Sequence, residues 1–136
     1  MRKKFLRLGA ALIILAVILG AFGAHGLSGK ITAERLATFE TGVRYHFYHA
    51  FAILVLGVLL YFRKTNLMVT AGYLFLAGIV LFSGSIYLIA VSDIFDLPIE
   101  VLGPITPIGG TLFIAGWIVF LVSTYQTNLL YKRKEE

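Results

Sequence analysis

The chain has 136 residues, 59% of them hydrophobic and 14% charged, with a mean hydropathy of +0.89. A soluble domain is about half apolar and about a quarter charged, and one this small cannot bury such an excess, so the composition points to a bilayer. The absence of cysteine excludes disulfides and thiolate chemistry, and the net charge of +5 sits in short clusters beside apolar runs, as membrane anchors do, which argues against a nucleic-acid partner.

Four apolar runs follow in chain order. The first extends from Leu8 to Ala24 behind Arg2, Lys3, Lys4 and Arg7; the second from Ala50 to Phe62, with residues from about Val43 needed for length. The third covers Leu67 to Val91 and the fourth Ile105 to Tyr125. With its flanks each reaches the roughly 20 residues that a helix needs to cross about 30 Å of hydrocarbon. None alternates with period two, and backbone groups in lipid must pair internally, so helices are expected. The fold expected is an all-α, four-transmembrane-helix bundle forming a single domain over 1–136, with spans near 6–26, 44–62, 67–91 and 105–125. The first run also looks like a secretory signal with Ala21-Phe22-Gly23 as a cleavage site. It is longer than an h-region of about 7–15 residues, so a retained helix is expected.

The connections have their own patterns. Between spans one and two, Ile31, Leu36, Phe39 and Val43 recur at helical spacing, and Thr32 is placed to cap a helix starting near Ala33. This stretch reads as a short amphipathic helix on the outer surface that runs into the second span. Arg63 to Asn66 is a tight inner turn, making spans two and three antiparallel neighbours. Ser92 to Gly110 holds all three prolines and three glycines and reads as an ordered re-entry loop.

Basic residues set the orientation. With both termini cytoplasmic, Arg2, Lys3, Lys4, Arg7, Arg63, Lys64, Lys132, Arg133 and Lys134 lie inside, and Lys30, Arg35 and Arg44 outside. The expected location is the inner, or plasma, membrane, with the lipid bilayer as partner and a homo-oligomer as a further option.

Counting about 1.5 Å per residue from the inner anchors puts His49 roughly 20 Å and Ser83 about 24 Å up. His25, Arg44, His46, His49, Ser83, Ser85, Tyr87, Thr106 and Thr111 then share the outer third, leaving the inner half of the spans almost purely apolar. Polar groups at such depth face a bundle interior or a wet cavity. Glu40 is four before Arg44, a spacing that permits an ion pair, and His46 and His49 share a helix face. A polar pocket near the outer leaflet is the resulting expectation. His25, His46 and His49 are also the candidates for a metal or haem site, although no Glu-x-x-His repeat or His-Glu-x-x-His is present. The plainer reading has these groups hydrogen-bonded, tying helix ends together. Ala16, Gly20 and Ala24 form a small-xxx-small stripe, read as packing within the chain before dimerisation. Trp117 reads as a mid-span packing or lipid-facing residue.

Longer motifs carry a resemblance. Gly20-Ala-Phe-Gly-Ala-His-Gly-Leu27, Thr41-Gly-Val-Arg-Tyr-His-Phe-Tyr-His49, Leu76-Ala-Gly-Ile-Val-Leu-Phe-Ser-Gly-Ser-Ile-Tyr87 and Leu102-Gly-Pro-Ile-Thr-Pro-Ile-Gly-Gly110, with Ala115-Gly-Trp117, span nearly the whole chain. In these the chain resembles the membrane proteins grouped as domain of unknown function 423, related to the eukaryotic transmembrane protein 256. The resemblance implies a multi-helix membrane protein and supplies no activity and no catalytic residue.

No catalytic set is legible, which leans away from an enzyme, and no cofactor is assigned. The leading expectation is a non-enzymatic membrane protein whose outer polar pocket binds a small ligand or supports assembly. The alternatives are a metal- or haem-binding redox protein using the three histidines, and an oligomeric small transporter or channel.

Overall fold

A computed structural model describes residues 2–63 and 65–132, with side chains for 3–63 and 65–125. Lys64, Arg133 and Lys134, counted above among the inner charges, lie outside the described residues, as do the side chains of Arg2 and Lys132. The described chain is all helix and connections. Helix α1 spans Arg2–Ala21 and continues as a π-helical segment, Phe22–Leu27; α2 spans Ala33–Phe62. The third span is built from α3 (Asn66–Gly78), a second π segment (Ile79–Ser83) and α4 (Gly84–Ala90). Two four-residue helices follow, α5 (Ser92–Phe95) and α6 (Ile99–Leu102), and then α7 (Ile105–Lys132). Four stretches are long and apolar enough to cross a membrane: Lys3–Leu27, Ala33–Phe62, Asn66–Ala90 and Ile99–Tyr125. The end carrying the start of α1 and the start of α3 is called proximal below, and the opposite end distal.

Local chemistry explains the boundaries. Thr32 is extended and its side chain accepts from the Arg35 N–H at 3.3 Å, capping α2 as the sequence predicts. Thr65 does the same for α3, accepting from the Met68 N–H at 3.2 Å. Gly29, at φ +76°, turns the chain between the first π segment and α2. Asp96, at φ +52°, ends α5, and Pro104 immediately precedes α7.

Two expectations are corrected here. No separate amphipathic helix lies between spans one and two. Residues 33–62 form one helix of 30 residues, because after the Thr32 cap no proline breaks it and Gly42 is tolerated as a packing notch. The polar stretch is therefore the distal end of span two itself. The 92–110 stretch is not all loop either: it contains α5 and α6, and α7 already runs from Ile105. Pro107 fits there because the first-turn N–H groups of a helix need no intrahelical partner.

Helix α1 packs chiefly on α2, α2 on the third span, and the third span on α7. Spans two and three are the buried middle; spans one and four bury only 17% of their most apolar stretches and flank them. The main core gathers Phe5, Ile53, Leu56, Leu60, Phe75 and Phe113, and a smaller distal one Leu27, Phe39 and Ala90. Glycines set the closest approaches. A Cβ on Gly9 would lie 2.7 Å from Leu54, and one on Gly57 2.8 Å from the Leu6 nitrogen, so α1 and α2 touch backbone to backbone. Within the Ala16-Gly20-Ala24 stripe, Ala16 is buried and Gly20 meets Val43 of α2, but Ala24 is exposed.

At the distal end Arg35 staples α2 to the third span. Its Nη1 donates to the Ile89 carbonyl and to Ser92 Oγ (2.7 Å), and its Nη2 pairs with Asp93 Oδ1 at 2.9 Å. Ser92 Oγ in turn donates to Ile89 O at 2.8 Å. The staple adds a second donor to the Ile89 carbonyl at a helix end, and that bond should outweigh the exposed Asp93 pair.

Gly109 against Gly110 tests the packing. A Cβ at Gly109 would lie 2.2 Å from the Phe82 nitrogen, whereas at Gly110 the nearest atom is 3.6 Å away. Gly109→Ala should destabilise by about 1–3 kcal/mol, as overpacking does. Gly110→Ala should be neutral or mildly stabilising, since alanine favours helix by about 1 kcal/mol over glycine. Thermal unfolding of both variants in one detergent reads the contrast.

Candidate functional site

Helices α2 and α7 both pack on the third span but scarcely on each other, and aromatic side chains fill the space between them. Tyr45, Tyr48, His49 and Ala52 occupy one face of α2; Gly110, Phe113, Ile114 and Trp117 occupy one face of α7. Phe75 and Phe82 of the third span form the floor. These spacings of three, four and seven keep each set on a single stripe.

His49 is the hub. Its ring stacks on Phe113 with centroids 3.5 Å apart and planes 8° apart. Indole N–H can only donate, and Trp117 Nε1 donates to His49 Nε2 at 3.1 Å. The imidazole proton therefore sits on Nδ1, which donates to the Tyr45 carbonyl at 2.8 Å. Both ring nitrogens are engaged, and the ring is 4% exposed.

Above this hub lies a cleft of about 700 Å³, bordered by Tyr45, Tyr48, Phe82, Thr111 and Trp117. A narrower one of about 200 Å³ continues toward Phe51, Val55 and Phe120, sharing Tyr48 and Trp117 with the first. Together they make one lateral groove with aromatic walls and no ionised side chain in its lining.

The remaining residues singled out by depth fall into separate contacts. His46 Nδ1 shares a hydrogen bond with the Tyr87 hydroxyl at 3.1 Å. Ser85 Oγ meets Thr106 Oγ1 at 2.6 Å and also donates to Phe82 O. His46 Nε2 and Ser83 Oγ are fully buried without a hydrogen-bond partner. Thr111 is exposed and donates to Pro107 O at 3.0 Å. His25, Glu40 and Arg44 are exposed, and among the described residues no ion pair forms between Glu40 and Arg44. Of the residues grouped by depth, His46 pairs with Tyr87, Ser85 pairs with Thr106, and His49 lies in the groove.

Among the described residues no three His, Asp or Glu side chains come together as a metal-binding group. His49 has no free lone pair for a metal or haem iron, and His25 is at the surface. These arrangements lend no support to the metal or haem readings. Sequence reasoning missed the partner of His49: Trp117 is 68 residues away, and only its being the single tryptophan marked it. It also missed Arg35, whose partners lie 54 to 58 residues on.

The four apolar spans define a multi-pass α-helical membrane protein. Within that class the chain belongs to the DUF423 family, described as proteins of unknown function, whose family model matches residues 19–110. It is 48% identical over 122 residues to the UPF0382 membrane protein YwdK of Bacillus subtilis, covering 89% of this chain and 95% of that one. It is 45% identical over 124 residues to the UPF0382 membrane protein SAB0533 of Staphylococcus aureus, covering 91% and 97%. A third relative, the UPF0382 membrane protein SH2409 of Staphylococcus haemolyticus, is 42% identical over 91% of this chain and 97% of its own. No solved structure matches.

The hub makes a separable prediction. Trp117→Phe leaves His49 Nε2 buried and unpaired, which should cost about 1–3 kcal/mol. Adding His49→Phe removes the orphaned group, so the double variant should lose less than the two single losses summed. Thermal unfolding of the four proteins in one lipid nanodisc measures the coupling.

Proposed function

We propose that this chain is a non-enzymatic membrane protein that binds a neutral, ring-bearing, lipid-soluble molecule in the lateral groove between α2 and α7. The observation that carries this reading is the groove's lining. Its walls are aromatic rings, its polar groups are the phenols of Tyr45 and Tyr48 and the hydroxyl of Thr111, and no ionised side chain borders it. Flat rings favour a flat guest, which they hold by offset or edge contacts. Hydroxyls at the wide end favour a carbonyl- or hydroxyl-bearing head. The narrow extension past Trp117 favours an apolar tail. A site made of apolar walls with a few placed polar groups is the usual build of a small-molecule pocket.

Trp117, the single tryptophan, reports on the groove directly. Decylbenzoquinone, a flat carbonyl-bearing head on a short tail, should quench its emission saturably in nanodiscs. Gly110→Leu, which projects into the cleft from a position with space for a side chain, should abolish the saturable component. Linear quenching, identical in the variant, would mean that the quinone merely dissolves in the bilayer.

We infer that the proximal end faces the cytoplasm, an orientation supported by Lys3, Lys4, Arg7 and Arg63 at that end. The chain has no cysteine of its own, so single variants are clean probes. A membrane-impermeant maleimide on intact cells should label Lys30→Cys and Asp96→Cys but leave Arg63→Cys untouched.

A further inference from the structure

A second cleft, of about 400 Å³, lies at the distal end away from the groove, between the first π segment, α4 and α5. Its lining differs in one respect that matters. The walls are Phe22, Phe39, Leu88 and Phe95, and its single charged lining residue is Lys30. The other polar group there, the Tyr87 hydroxyl, is turned inward to His46.

Lys30 is held in place by its backbone. Its N–H donates to the Leu27 carbonyl at 2.9 Å, at the end of the π segment. Its side chain is exposed, and among the described residues its ammonium has no hydrogen-bond or ion-pair partner. Asp93 on α5 is already committed to Arg35. The neighbouring apolar groups are open: Phe22 is 49% exposed, Leu88 46% and Phe95 67%. A lysine stem lying on apolar surface with its charge at the edge is the snorkelling arrangement found at membrane boundaries.

We propose that this cleft seats an acyl chain of an anionic phospholipid from the surrounding leaflet, with the lipid phosphate on Lys30. Charge complementarity selects the head, since one unpaired cation faces an otherwise apolar surface. Phe22 and Leu88 belong to spanning segments, so the opening faces bilayer lipid and not a soluble anion. The site neither includes nor depends on the α2–α7 groove.

Native mass spectrometry after mixing the purified protein with phosphatidylglycerol and phosphatidylcholine of identical chains tests this. The wild type should retain the glycerol lipid about fivefold more than the choline lipid, the factor that one basic residue supplies beside an anionic surface. Lys30→Gln should erase that preference without altering unfolding of the lipid-free protein, while Arg44→Gln should preserve it. Phe95→Ala, a change at an exposed ring, should lower retention of both lipids, and inorganic phosphate should not compete. Equal retention of the two lipids by the wild type, an unchanged preference in Lys30→Gln, competition by inorganic phosphate, or undiminished retention in Phe95→Ala would each overturn it.

Discussion

Between helices in lipid no hydrophobic force acts, because lipid tails are as apolar as leucine; what holds helices together is close packing and the few polar bonds between them. In this chain packing rests on glycines that admit a neighbouring backbone or ring. Gly9 and Gly57 bring α1 onto α2; Gly78 receives the ring of Phe113, Gly116 that of Phe75, and Gly109 the backbone of Phe82. Every glycine in the last group sits between the third span and α7. None joins α2 to α7. Those two helices are kept apart by rings, and the groove is what that separation leaves.

The polar bonds join elements far apart in sequence. His49 bridges the groove to Trp117 through a single defined tautomer. Arg35 closes the distal end, where the second core is small and the short helices α5 and α6 contribute few buried residues. Its planar guanidinium reaches a carbonyl, a hydroxyl and a carboxylate at once, which a lysine could not reproduce. The staple also fixes α5, and so one wall of the lysine-edged cleft. The two clefts differ in the head they would accept: hydroxyls edge one and an ammonium the other.

The spans were legible because crossing hydrocarbon demands long apolar runs, and such runs are visible residue by residue. The Thr32 cap was legible for a similar reason, since its acceptor and donor are three residues apart. The continuity of α2 was not, because its polar distal end looks like a surface helix; only the lack of any helix breaker argues for one rod. Of the nine residues grouped by depth, four meet as pairs across helices, His46 with Tyr87 and Ser85 with Thr106. Counting along a span gives height and not azimuth, so it could not tell that His49 faces Trp117 while Arg44 and His25 face outward. The π segments left no local sign at all.

The π segment of the third span has a consequence of its own. A turn that accommodates one extra residue advances everything beyond it by about 100° relative to a regular helix. Below it, Phe75 and Gly78 look toward α7; above it, Ile86 and Tyr87 meet α2 at Gly42. Because α2 and α7 are both met along its length, one span can serve as common wall to both clefts, lending Phe82 to the groove and Tyr87 and Leu88 to the lysine-edged cleft.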